Sequence, residues 1–413
     1  MLWPLSWGAR EREAGDEYMN NNNSGSGAGT DTGVDNYADA NANPNVKIRI
    51  LAVNPGSTST KIALFDDDCE LFREQIQHSA DILSSFSGIQ DQLDFRTDIV
   101  SKTLLQHGYP INTVDVFVGR GGGLLSVTGG VYEVTDTLLS HASQGMSGQH
   151  PAQTGSQIAH KLAALNGKRA FIVNPPDVDE LCPPARVTGI KGVYRESHNH
   201  ALNQKEIALR FCRSRGLDYD SINLIMCHIG GGVSVSAHEK GRMIDTNDIL
   251  RGSGPMSPTR AGDMPYMDVV KLAYSGDYTQ DELTEKLNQK GGLLDYFGTA
   301  DIRDIIKMID NGDGFASFIF DGMVYQIAKY VGAMAVALKG KAEAVILTGG
   351  ISNNKYFTDK IGSYVDWIAD VVVIPGEFEL EALASGALRV MRGTEKAKTY
   401  AGVPVWSGYH PGE

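Results

Sequence analysis

Apolar residues come in short blocks along this chain, separated by glycine-rich turns, and the period within a block is often two rather than 3.6. KIRILAV and KIALFDDD flank the turn NPGSTST, and CELFREQIQH follows as a third block. Runs of this length bounded by Gly, Pro and Asx residues predict strands. Residues 89–107 carry helical spacing instead, and VDVFVGRGGGLL predicts a buried strand entering a glycine loop.

The second half begins in the same way. SINLIMCHIGGGVSVSAHEKGRMIDT predicts strand, glycine turn, strand, turn, strand. A strand pair pinned around a small-residue turn thus occurs twice, about 175 residues apart, which predicts a duplicated architecture. AEAVILTGGISNNKYF adds a fully apolar strand that enters two glycines and then a helix. Glycines at the carboxyl ends of strands allow backbone to approach a nucleotide.

Composition narrows the class. The 413 residues are 42% hydrophobic and 21% charged, with 47 glycines, as expected of a globular α/β protein long enough for two domains. No stretch is long and apolar enough to span a bilayer. The net charge of −13 argues against nucleic-acid binding, so any anion site must be local. Cys69, Cys182, Cys212 and Cys227 form neither a CxxC pair nor a zinc spacing, and are expected to be reduced thiols in a cytoplasmic protein. Residues 1–46, with NNNNSGSGAGTDTG, are expected to form a disordered low-complexity tail.

The first turn invites comparison with a P-loop, but Thr60 stands where the second glycine belongs and the following residues read as strand rather than helix. RILAVNPGSTSTKIALF, GRGGGLL, HNHALNQK, CHIGGGVSVSAHEKGRMIDTND, GPMSPTRAGDMP, GTADIRD, ILTGGISNNKYF and IPGEFELEALASGALRVMRG together resemble, in order, the acetate and butyrate kinase family. The likeness is strongest to its butyrate kinases, and the family lies within the actin-like sugar-kinase and heat-shock ATPase superfamily. It implies two related actin-like, ribonuclease H-like lobes with mixed sheets flanked by helices and a nucleotide cleft between them. The lobes would span 47–173, completed by a C-terminal helix at 377–395, and 174–376, with an irregular tail at 396–413.

The resemblance also implies reversible phosphoryl transfer between ATP or ADP, with Mg2+, and butyrate or a similar short or branched carboxylate, through an acyl phosphate. A homo-oligomer, dimer or higher, is implied as well. Asn54, Ser57, Ser59 and Lys61 would line the phosphates from one lobe, and His228, Gly230, Gly231 and Gly232 from the other. Gly349 and Gly350 would hold the adenosine, with Asp301 and Arg303 nearby. Arg120, Arg260 and His200 match the family's site arginines and histidine, whereas His198 is expected to be structural or exposed.

The chemistry agrees with this set. A carboxylate is already ionised near neutral pH, so its phosphorylation needs cations and oriented donors rather than a general base. Arg120, placed after a buried strand and before three glycines, offers a fork of donors to a carboxylate. Magnesium takes oxygen ligands, for which Glu377, Glu379 and Glu381 are available. Two positions depart from the family: Asn174 replaces an aspartate of the substrate-side cluster, and an ungapped comparison sets Phe378 opposite the acidic metal position, leaving Glu377 or Glu379 to serve. A nucleotide-binding relative that has lost transfer activity and acts as a regulatory or interaction protein is the alternative these departures leave open.

Overall fold

The computed structural model describes residues 46–409. The expected low-complexity tail therefore lies, but for its last residue, outside the described residues. The first sheet comprises β1 (Arg49–Pro55), β2 (Ser59–Asp66), β3 (Cys69–Gln77), β4 (Val116–Gly119), β5 (Val131–Glu133) and β6 (Arg169–Val173), in the order β3-β2-β1-β4-β6-β5. The second comprises β7 (Asn223–Ile229), β8 (Val233–Glu239), β9 (Arg242–Thr246), β10 (Ala344–Thr348) and β11 (Asp370–Val373), in the order β11-β10-β7-β8-β9.

Read from β3 and from β9, the two sheets follow one plan. A three-stranded antiparallel meander gives way in each to parallel strands, β4 and β6 in one and β10 and β11 in the other. Strand β5 is an antiparallel addition at one edge. The duplication expected from the two turns is thus present in strand order and sense.

Alternation sorts each strand's side chains between two faces. In β1, Leu51 and Val53 join Ile158 and Leu162 of the Thr154–Ala164 helix, while Ile50 and Ala52 meet Leu383 and Ala387 of the Glu379–Met391 helix. This last helix of the chain therefore packs on the first sheet. In the second sheet, Ile225 and Val235 face the 24-residue Gly314–Ala337 helix, and Leu224 and Met226 face Ile207 and Phe211 of the Ala201–Arg215 helix. Among the described residues no helix is long and apolar enough to cross a membrane, and all four cysteines are free thiols.

The segment from Lys396 forms no helix or regular strand, yet it is pinned to the first sheet. The Lys398 N–H donates to Val131 O at 2.8 Å, the Glu133 N–H donates to Lys398 O at 3.0 Å, and the Val405 N–H donates to Ser126 O at 3.1 Å.

One close approach sets the position of the β4 end. A Cβ on Gly119 would lie 2.0 Å from Gly155 O, and one on Gly155 would lie 2.5 Å from Arg120 O. The Thr154–Ala164 helix thus touches the backbone from which Arg120 projects. Gly155→Ala should cost about 1–3 kcal/mol of stability through overpacking, measured by urea denaturation. It should also displace Arg120; wild-type stability in the variant would show that the helix can shift without strain.

Candidate functional site

The first turn is a tight link between antiparallel strands. The Gly56 N–H donates to Ser59 O at 2.8 Å, which leaves Ser57 at the exposed tip and Ser59 buried at the start of β2. Asn54 and Lys61 are cross-strand partners at its base. Behind it lies Arg96, fully buried, whose hydrogen-bond partners are all neutral. Its Nη1 donates to Ser59 O at 3.1 Å and Thr60 Oγ1 at 2.9 Å, and its remaining donors go to Gln92 Oε1. Desolvation pushes this guanidinium below its ordinary range, and its charge adds positive potential behind the turn.

The second turn is built by glycine. The Gly230 N–H donates to Gly232 O at 3.0 Å, while Gly231 O accepts from Ser257 Oγ at 2.7 Å and Thr259 Oγ1 at 3.0 Å. Gly232 has no room for a side chain, because a Cβ there would lie 1.6 Å from Arg260 Nη1. That Nη1 is buried without a hydrogen-bond partner, and Nε reaches only the carbonyl of Asn288 at 3.3 Å. An orphaned guanidinium donor beside a glycine turn is a place for an anion's oxygen.

His200 and His228 stack beside this turn, with centroids 4.0 Å apart and planes 18° from parallel. Burial, then the neighbouring His228, Arg260 and Arg120, hold His200 well below the ordinary histidine range. Burial holds His228 down to about 4, with Glu379 opposing and Arg120 assisting. Both imidazoles are thus neutral near pH 7. Asn203 Oδ1 accepts the Phe378 N–H at 3.0 Å, so its Nδ2 donates to His228 Nδ1 at 2.9 Å. The proton of His228 consequently sits on Nε2.

The two lobes meet at the start of the last helix. Glu379 Oε2 accepts from Asn54 Nδ2 and Oε1 from Arg120 Nη1, each at 2.6 Å. Desolvation acts to raise this carboxyl, but Arg120, then Lys61, the Asn54 hydrogen bond and His228 outweigh it and hold it below the usual range. Glu377 is pushed up, by desolvation first and then by the Glu379 charge. Lys61, Glu377 and Glu379 border one small cavity of 160 Å³.

Beyond the second turn, Gly349 ends β10 at φ +92, where a Cβ would lie 2.4 Å from Ile229 O. Gly350 shares a 570 Å³ cavity with Asp301, Arg303, Asn353 and Asn354. Asp301 caps the Ile302–Asp310 helix by accepting the Arg303 N–H at 2.9 Å, and the Arg303 side chain holds its carboxyl down at about 2. The pair is both a surface cap and part of that cavity wall.

Two expectations need refinement, and a third holds. Asn174 does not bond to the arginines: at φ +38, its Oδ1 accepts the Gly130 N–H at 2.7 Å and its N–H donates to Gly130 O at 3.0 Å. Its carboxamide holds a turn instead. Phe378 turns away from Asn54 and Arg120: its ring centroid lies 4.3 Å from the Arg210 guanidinium carbon, and the helix begins one residue later, at Glu379, which is the acid that meets them. His198 is structural, as expected, and is no partner of His200; its Nδ1 lies 3.1 Å from an Asp248 carboxylate oxygen.

Arg96, Asn203, Gln204 and Ser234 escaped sequence reasoning, although HNHALNQK places His200, Asn203 and Gln204 on one helical face. Among the described residues no group of three or more His, Cys, Asp or Glu side chains is arranged to hold a metal.

A family model described as the Acetokinase family matches residues 191–361, the stretch that carries His200, the second turn, Arg260 and Gly349. The chain is similar to the crystal structure of Porphyromonas gingivalis acetate kinase, with TM-score 0.68 and 21% identity, covering 83% of this chain and 99% of that one. A propionate kinase from Francisella tularensis matches with TM-score 0.64 and 18% identity, covering 82% and 98%. Acetate kinase from Entamoeba histolytica matches with TM-score 0.67 and 16% identity, also covering 82% and 98%. The fold is therefore the two-lobed, actin-like α/β fold of these kinases.

The buried neutral histidines carry a consequence for acid stability. An unfolded histidine titrates near ~6.5, whereas His228 resists protonation down to about 4. Between those values the unfolded chain takes up a proton that the folded chain refuses, so stability is lost as pH falls through the window. The melting temperature should drop by roughly 5 °C or more between about pH 7 and about pH 5. His228→Asn should show a smaller fall over the same range.

Proposed function

We propose that the chain is a short-chain carboxylate kinase, which transfers the γ-phosphoryl group of ATP reversibly to butyrate or a similar short or branched acid. The observation that carries this reading is that Lys61 and Arg120 gather about Glu379 while Arg120 and Arg260 flank two neutral, stacked imidazoles beside the glycine turn. The orphaned Nη1 of Arg260 is its sharpest element. The fold likeness and the Acetokinase family match support the reading, and the cavity beside Gly350 offers room for a nucleoside.

The arrangement suits a reaction dominated by positioning and charge. A carboxylate oxygen attacks the γ-phosphorus, the bond to the β–γ bridging oxygen breaks, and ADP leaves without any proton having to move. Charge spreads over the equatorial oxygens of a loose transition state. Arg260 and Arg120 stabilise that charge and the approaching carboxylate, and His200 and His228 donate hydrogen bonds without adding positive charge that would overbind the product. Lys61 and the backbone of both turns take the β- and γ-phosphates.

The carboxylates of Glu377 and Glu379 fit Mg2+, which commonly takes one or two carboxylates together with substrate phosphates. When bound there, the ion would neutralise charge on the β- and γ-oxygens. Glu379 meanwhile fixes Arg120 and Asn54.

The deciding experiment is a coupled assay with ATP, magnesium and a panel of short acids, the acyl phosphate being trapped as hydroxamate. Wild type should turn over, and Arg120→Ala and His200→Ala should each lose roughly 100-fold or more in kcat. Lys61→Ala and Asn54→Ala should lower kcat far more than melting temperature. Tight ATP binding with no hydroxamate from any acid would overturn the proposal in favour of a nucleotide-binding regulatory protein.

A further inference from the structure

Strand β8 presents two different faces. Val233, Val235 and Ala237 enter the second lobe's core, and Ser234, Ser236 and His238, equally buried, line the other side. Ser234 and His238 reach Gln204 of the Ala201–Arg215 helix, and beyond His238 lies Tyr219. A polar stripe inside a core is costly unless each donor meets an acceptor. Here the partners admit one ordering only.

The ordering starts from a group that cannot switch. Ser234 O is a carbonyl and can only accept, so the end of Gln204 lying 3.2 Å from it must be Nε2. Nε2 also donates to Ser234 Oγ at 2.8 Å. Gln204 Oε1 then accepts from His238 Nε2 at 3.1 Å. His238, which burial keeps neutral, has no proton left for Nδ1, so that atom accepts from Tyr219 OH at 2.7 Å. At the other end, the fully buried Ser234 Oγ has only two partners, Gln204 Nε2, which donates to it, and His200 Nδ1 at 2.8 Å, so the one acceptor open to its own proton is His200 Nδ1.

We infer that Tyr219, His238, Gln204 and Ser234 form a one-way hydrogen-bond relay that fixes His200 as its Nε2–H tautomer, making it a donor to the transferred group. The relay moves no proton; it removes a choice. A free neutral imidazole carries its proton on either nitrogen, and the wrong tautomer would turn a lone pair towards a phosphoryl oxygen. Gln204, His238 and Tyr219 are therefore positioning residues for transfer. Their importance for catalysis rests on the proposed kinase reading, whereas the tautomer itself does not.

The test combines turnover with 15N NMR of the imidazole nitrogens in the full-length protein. Wild-type His200 should carry its proton on Nε2. In Gln204→Glu the new carboxylate accepts the Ser234 proton, so His200 should shift to Nδ1–H, with kcat falling by roughly 100-fold and the nucleotide KM changing little. His238→Gln retains a donor for Gln204 and an acceptor for Tyr219 and should keep the wild-type tautomer. Should Gln204→Glu fail to fold, Ser234→Ala reads the same link, and His200 should become a tautomer mixture. An Nδ1–H tautomer in wild type, or an Nε2–H tautomer that persists in Ser234→Ala, would overturn the relay. Absence of acyl phosphate in wild type would instead remove the kinase reading and leave the tautomer result standing.

Discussion

The Glu379 carboxylate is the interaction on which the rest depends. It joins Asn54 and Arg120, which lie 325 and 259 positions earlier in the chain, and so ties the ends of β1 and β4 to the first turn of the last helix. That helix in turn covers one face of the first sheet. A partly desolvated ion pair of this kind is weak as a source of net stability, since desolvation cancels much of the attraction. Its effect is positional: losing one partner leaves the other charge uncompensated, so arginine, asparagine and helix start are located together or not at all.

The same helix start reaches the second lobe. The Phe378 N–H orients the Asn203 carboxamide, and Asn203 sets the proton of His228. A single helical N-terminus thereby controls the direction of donors in both halves of the cleft. The neutrality of His200 and His228 follows first from their burial, which disfavours the charged form, with Arg120 adding to it at both and Arg260 at His200. In a chain with net charge −13, this cluster and Arg96 behind the first turn supply the local positive charge an anion site needs.

Much of the fold was legible because its signals are local. The alternating blocks around NPGSTST and HIGGGVSVS gave both meanders, and their recurrence gave the duplicated sheet order. The position of Glu379 was not legible: which of three alternating acids faces the cleft depends on the residue at which the helix begins, and that is settled by Phe378 packing against Arg210 and bonding to Asn203. The bonding of Asn174 was not legible for a related reason, since a strand-end residue can face either the cleft or its own turn, and here Oδ1 and the N–H both go to Gly130. Arg96 carried no signal, because an arginine on an amphipathic helix is ordinarily solvated.

The two turns share a scaffold but not a chemistry, and the difference follows from what stands behind each. The first is backed by a buried guanidinium that already supplies positive potential, so its surface can consist of hydroxyls and one lysine. The second is backed by Arg260, which lies against Gly232 so closely that any side chain there would displace it. Glycine at that position is therefore required by the arginine as well as by the backbone. Beside it, β8 must bury a polar face to orient His200, and this is possible only because each donor in the stripe meets an acceptor. Each turn of the duplicated fold thus rests against a guanidinium, Arg96 held by neutral partners under the first and Arg260 with an unpartnered Nη1 against the second.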